Sequence, residues 1–181
     1  MYYQGQQQPQ GADINYLRGL FQNVDRNRSG AINARELQSV LSNGTWKPFN
    51  LEAAKVMIRM FDRRGVGKVN FDEFTSLWNF LTSWLNCFQS FDKDRSGFID
   101  RRELSDALTR FGYRLGQPTV DALIMKYDRE GKGSITFDDF ILCCLSLQAL
   151  TDTFRRYDTD QDGLINIRYE DFIKAVLPLL A

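Results

Sequence analysis

The 181-residue chain contains no histidine. That removes the commonest general base, every Ser-His or Cys-His catalytic pair and most zinc sites, so ordinary hydrolytic chemistry is not expected and the chain reads as a non-enzyme. Cysteine is scarce. Cys87, Cys143 and Cys144 are odd in number with two adjacent, which gives no disulfide framework and fits a reducing compartment, the cytoplasm or nucleus. All three read as small core residues. Neither sign of charge is in excess: 23 Lys and Arg balance 23 Asp and Glu, so no net field draws the chain to nucleic acid or an anionic membrane. Long apolar runs are missing too. The most apolar stretch, Phe140–Leu150, is broken by Ser146 and Gln148 and falls far short of the ~20 residues a spanning helix needs. Residues 1–11 (MYYQGQQQPQG) have neither the basic nor the apolar region of a signal peptide. They read as a disordered Gln-rich tail ahead of one domain, residues 12–181.

What the chain does have is a repeat. A twelve-residue pattern, with Asp first, Gly sixth and an apolar β-branched residue eighth, occurs five times in phase: Asp25–Glu36, Asp62–Glu73, Asp92–Glu103, Asp128–Asp139 and Asp158–Tyr169. This is the calcium loop of an EF-hand. The sixth-position glycine allows the sharp turn, and the eighth residue suits a short strand pairing with a neighbouring loop. Loop starts are separated by 37, 30, 36 and 30 residues. The two shorter intervals contain Phe74–Phe91 and Phe140–Tyr157, free of Gly and Pro, so each is expected to be one helix leaving one hand and entering the next. The longer connectors carry breakers, Gly44 with Pro48 and Gly112, Gly116 with Pro118, and read as helix, turn, helix. The expected fold is all-α, about eight helices with two-stranded ribbons between paired loops.

The loops differ in their donors. Calcium takes six to eight hard oxygens, from positions 1, 3, 5, the backbone of 7, position 9 directly or through water, and a bidentate carboxylate at 12. The third loop meets every demand with Asp92, Asp94, Ser96, the Phe98 carbonyl, Asp100 and Glu103. The first offers Asp25, Asn27, Ser29, the Ala31 carbonyl, Asn33 and Glu36, with two carboxylates, and should bind more weakly. The second places Arg64 and Val66 at positions 3 and 5, which makes it structural. In the fourth, Lys132 takes position 5 and the shorter Asp139 position 12, so that loop should stay empty. The fifth has Asp158, Asp160, Asp162 and the Leu164 carbonyl, but Tyr169 stands at position 12 with Glu170 one residue late. Weak calcium or magnesium occupancy is expected there. Position-eight pairing joins hands one with two and three with four. Ile165 of hand five then pairs with a second chain.

With these five loops and the stretches LSNGTWKPFN (41–50), FGYRL (111–115), FDDFI (137–141) and FRRYDTDQDG (154–163), the sequence from Ile14 onward resembles the penta-EF-hand family. The resemblance implies a penta-EF-hand fold, principal calcium sites in hands one and three, and a dimeric calcium adaptor. It also implies a groove at Trp84, Phe111, Arg114 and Tyr169 that opens with calcium for Pro-rich segments of membrane-trafficking proteins. Aromatic platforms suit the preformed polyproline helix, which loses little entropy on docking. A heterodimer or enzyme regulatory subunit and a calcium buffer are the alternatives. Membrane association would be indirect or calcium-dependent.

Overall fold

The computed structural model describes residues 13–41, 44 and 48–179. The tail expectation for residues 1–11 lies outside these. Eight α-helices and four two-residue strands follow one another as α1 (Ile14–Val24), β1 (Ile32–Asn33), α2 (Ala34–Val40), α3 (Leu51–Phe61), β2 (Lys68–Val69), α4 (Phe71–Phe91), β3 (Ile99–Asp100), α5 (Arg101–Arg110), α6 (Gln117–Tyr127), β4 (Ser134–Ile135), α7 (Phe137–Arg155) and α8 (Tyr169–Val176), with a 3-10 turn at Leu177–Leu179. No described helix is long and apolar enough to cross a membrane.

The loop motif itself starts the outgoing helices. Position nine is the N-cap and position twelve is the third helical residue, so Asn33 with Glu36, Asn70 with Glu73 and Asp100 with Glu103 form reciprocal capping boxes. The helices consequently begin at position ten. The central helix starts at Phe71 rather than Phe74, and α7 at Phe137 rather than Phe140, ending at Arg155 instead of Tyr157.

Position eight pairs as expected. Ile32 faces Val69 and Ile99 faces Ile135 in antiparallel ribbons, and all four are 1% exposed or less. Each ribbon therefore ties two loops together at a dry point. The core runs along α4, where Phe74, Leu77, Leu81, Phe88 and Phe91 are buried; each such side chain contributes roughly 1.5–3 kcal/mol of burial. Leu85, part of the same apolar series, is exposed instead. Phe88 packs edge-on against Phe137 and Phe140 of α7, at centroid distances of 5.5 and 5.6 Å. Helix α3 also packs on α7, so the lobe of hands one and two and the lobe of hands three and four share one core.

Candidate functional site

In hand three the side chains converge before any ion is considered. Carboxylate oxygens of Asp92, Asp94 and Glu103 lie within 4.8 Å of one another. Asp92 is fixed by the Ser96 N–H to Oδ1 at 2.9 Å and the Gly97 N–H to Oδ2 at 3.0 Å. Gly97 has φ +80°, which an L side chain resists. Glu103 is 7% exposed and accepts the Lys93 N–H at 2.8 Å and the Asp100 N–H at 3.1 Å. The Ser96 hydroxyl donates to the Phe98 carbonyl at 3.1 Å, and Ser96 holds the Asp94 carboxyl below the usual carboxylate range through its hydroxyl and then its N–H. Three anionic carboxylates, a hydroxyl and a carbonyl in one turn form a hard oxygen set that fits calcium.

Hand one repeats this scaffold with fewer charges. Ser29 and Gly30 N–H groups bind Asp25 at 2.9 and 2.7 Å. The Ser29 N–H reaches Asn27 Oδ1 at 3.0 Å, the Ser29 hydroxyl donates to the Ala31 carbonyl at 2.9 Å, and Glu36 accepts from Asn33 N–H at 3.0 Å. Here Asn33 spends its Oδ1 on the N–H groups of Arg35 and Glu36, as Asp100 does on Arg102 and Glu103. Position nine therefore serves the helix cap, consistent with reaching an ion through water.

The even-numbered hands supply a cation of their own. In hand two the Arg64 guanidinium lies 3.9 Å from Glu73, which is itself buried. In hand four Arg129, at position two, donates to Asp139 Oδ2 and Asp138 Oδ2, each at 2.6 Å. The other Asp139 oxygen accepts from Asn50 Nδ2 at 2.7 Å. Both position-twelve carboxylates thus face a guanidinium, although Glu73 also accepts the Arg63 and Asn70 N–H groups at 3.1 and 2.8 Å, as Glu103 does those of Lys93 and Asp100; the added cation is what sets hands two and four apart. Lys132, at position five of hand four, pairs with Glu130 at 2.6 Å and sits 5.1 Å over the Phe98 ring. The pairing of Arg129 and Asn50 with hand four was not legible from ligand counting. An Arg at loop position two and an Asn just before an apolar helical run were the available signals.

Hand five departs from the twelve-residue frame. Asp158, Asp160 and Asp162 bring carboxylate oxygens within 4.8 Å, and the Gly163 N–H binds Asp158 at 3.2 Å. The outgoing helix, however, is capped by Arg168 and begins at Tyr169, two positions later than in the other hands. The residue equivalent to position twelve is therefore Asp171, not Tyr169 or Glu170. Its carboxylate is held by Arg168 Nε at 2.9 Å, with Lys174 at 3.8 Å. Counting back from the helix start, rather than forward from Asp158, would have found it. Ile165 belongs to no strand and is half-buried. Beside it lies an apolar cleft of about 320 Å³ lined by residues including Phe154, Ile165, Ile167, Phe172 and Leu179.

The structure brings two of the four groove residues together. Trp84 on α4 meets Phe111, the C-cap of α5, with ring centroids 6.2 Å apart, and also Phe140 at 5.9 Å. Phe111 is 38% exposed. Arg114 is exposed in the turn after α5, and Tyr169 opens α8 with 78% exposure; among the described residues neither joins that ring stack. Cys143 and Cys144 are buried, Cys87, expected in the core with them, is only half-buried, and all three cysteines are free thiols. Burial pushes the Cys143 thiol up to about 12 and Cys144 in the same direction, as expected of core residues.

Comparison with protein-family models matches an EF-hand domain pair to residues 14–78 and 82–144, and an EF hand to residues 150–168. Sorcin from Homo sapiens is 47% identical over 154 residues, covering 83% of this chain and 77% of that protein. Grancalcin from Mus musculus is 42% identical over 156 residues, covering 84% and 70%. A solved structure of a homolog of programmed cell death 6 protein from Leishmania major Friedlin aligns with a TM-score of 0.77 at 31% identity, over 90% of this chain and 93% of that one.

Proposed function

The chain belongs to the calcium-binding, non-enzymatic penta-EF-hand family, and on that premise we propose that it is a calcium sensor and adaptor whose apolar groove takes Pro-rich segments of membrane-trafficking proteins. One observation carries this reading. Glu103, the position-twelve carboxylate of the best-furnished loop, and Phe111, whose ring packs edge-on against Trp84, stand at opposite ends of α5. The eight residue steps from one to the other span ~12 Å of rigid helix at 1.5 Å each. A pull on the Glu103 carboxylate therefore moves α5 as a lever and shifts Phe111 against Trp84, which sits on a different helix.

The finer likeness, to programmed cell death protein 6, rests on the stretches quoted above and is supported by the solved neighbour. Sorcin and grancalcin share higher identity with the chain, so overall similarity does not favour that adaptor among the family. Calcium would occupy hands one and three, with a weaker ion, calcium or magnesium, in hand five. Cytoplasmic or nuclear residence with calcium-dependent recruitment to endomembranes follows from the same reading.

A Pro/Tyr/Gly-rich peptide titrated by calorimetry tests it. Binding is expected in calcium and not in chelator, and Phe111→Ala should weaken it at least tenfold, ~1.4 kcal/mol. Equal binding in both conditions would refute the groove and leave the buffer reading ahead.

Dimer formation through hand five has its own support in the half-buried Ile165 and the apolar cleft around it. The partner would be a second copy or a related penta-EF-hand chain, including the catalytic subunit of an enzyme that this chain would then regulate.

A further inference from the structure

Asp138 and Asp139 are adjacent, 0% and 1% exposed, and lie in the first turn of α7. Two carboxylates this close repel, and removing them from water is expensive unless every oxygen is satisfied. Here every oxygen is. Asp138 Oδ2 accepts from Arg129 at 2.6 Å and from the Asn50 backbone N–H at 2.5 Å. Asp139 Oδ1 accepts from Asn50 Nδ2 at 2.7 Å, and Oδ2 from Arg129 Nε at 2.6 Å. The Thr136 hydroxyl lies within reach of Asp138 Oδ1 and of Asp139 Oδ2. One guanidinium offsets one of the two charges, and the N-terminus of α7 favours the other.

Asn50 gives this cluster its reach. It is the N-cap of α3, accepting the Glu52 N–H at 2.8 Å, and α3 belongs to hand two. The same residue thus starts a helix of the first lobe and donates twice to the fourth hand of the second, 88 and 89 positions away. Beside this polar junction Phe49 packs on Phe137 at a centroid distance of 6.4 Å, so apolar and ionic contacts coincide. Hand two has a guanidinium too, but Arg64 lies 3.9 Å from Glu73 and is half exposed.

We propose that Arg129, Asp138, Asp139 and Asn50 form a permanent clasp between the lobes. In it a tethered guanidinium takes the place of the ion, keeping hand four closed on α3 whether or not calcium is present. Within the second lobe, calcium-driven movement is then confined to hand three and the far end of α5, while the start of α7 stays fixed. The clasp does not depend on the groove reading, because its residues serve no peptide.

Hydrogen exchange by mass spectrometry on the full chain tests it, in chelator and in calcium. Wild-type amides 51–54 and 137–141 should be equally protected in both conditions. Arg129→Gln should lower protection at 51–54, in the other lobe, about tenfold or more in both conditions, a change of local opening. Arg129→Lys, which can hold one carboxylate but not fork across two, should fall between and covers the case in which the glutamine variant does not fold. Asn50→Ser keeps a capping oxygen and loses the bond to Asp139, so protection should drop at 137–141. Unchanged exchange at 51–54 in both arginine variants would overturn the clasp, as would wild-type protection there that collapses on chelation.

Discussion

Replacing Glu103 by Gln separates what that side chain does for the ion from what it does for the loop. Without calcium its two oxygens already receive the Lys93 and Asp100 N–H groups at 2.8 and 3.1 Å. A glutamine retains one acceptor and turns an NH₂ toward the other N–H. A buried donor left without a partner costs about 1–3 kcal/mol, which for a chain of this length lowers Tm in chelator by roughly 2–12 °C. Calcium adds a second difference. Sensor loops bind at about 10⁻⁷–10⁻⁵ M, and at a thousandfold excess over Kd one site stabilises the native state by about 4.1 kcal/mol. That is roughly 8–16 °C of calcium-dependent shift from hand three. Hand one, with two carboxylates, supplies less. Scanning calorimetry of wild type and Glu103→Gln, each in chelator and in about 1 mM calcium, should show the variant losing at least half of the calcium shift. A full wild-type shift in the variant would mean that hand three is not the principal site and would refute the ranking of the loops.

Four further outcomes are expected. Ile165→Asp should give a monomer by multi-angle light scattering, and an unchanged dimer mass would place the interface elsewhere. Cys143 and Cys144 should resist alkylation at pH 8 while Cys87 reacts first, because burial raises Cys143 to about 12 and only the thiolate attacks; equal labelling of all three by peptide mapping would contradict the packing. Gly131→Ala should destabilise the protein by about 1 kcal/mol in chemical denaturation, since φ is +68° and no atom lies near the added methyl. Arg95→Gly, at φ +57°, should be neutral or stabilising by up to ~1 kcal/mol, and a clear loss would show that the arginine side chain itself matters.

The helices and ribbons were legible because one motif encodes several layers at once. Position eight fixes the pairing, position six the turn, and positions nine and twelve the cap of the next helix. Reading position twelve only as a ligand hid its second role, which is why the expected helices began three residues late. Hand five was misframed for the same reason: two extra residues precede its cap, so a fixed count landed on Tyr169 while Asp171 took the equivalent place. An Arg at loop position two and an Asn before an apolar run mark donors, but neither says that Asn50 meets Asp139 across 89 positions. Such pairs depend on how two lobes dock, which periodicity does not encode. Trp84 and Phe111 did meet, whereas a fixed ring pair says nothing by itself of what moves when an ion arrives.

Hands one to four pair their loops within the chain through two ribbons, whereas Ile165 of the fifth lies in no strand. Helix α8 buries none of its eight residues and packs mainly on α7 and its own final turn, so opening the segment after Arg155 leaves the rest of the core intact. Local opening is easiest where little apolar surface is at stake, which makes this, among the described residues, a stretch that a protease can thread early. If a second chain covers the last hand, as the proposed dimer requires, this stretch closes to cleavage, and the lifetime of the protein is coupled to the supply of partners.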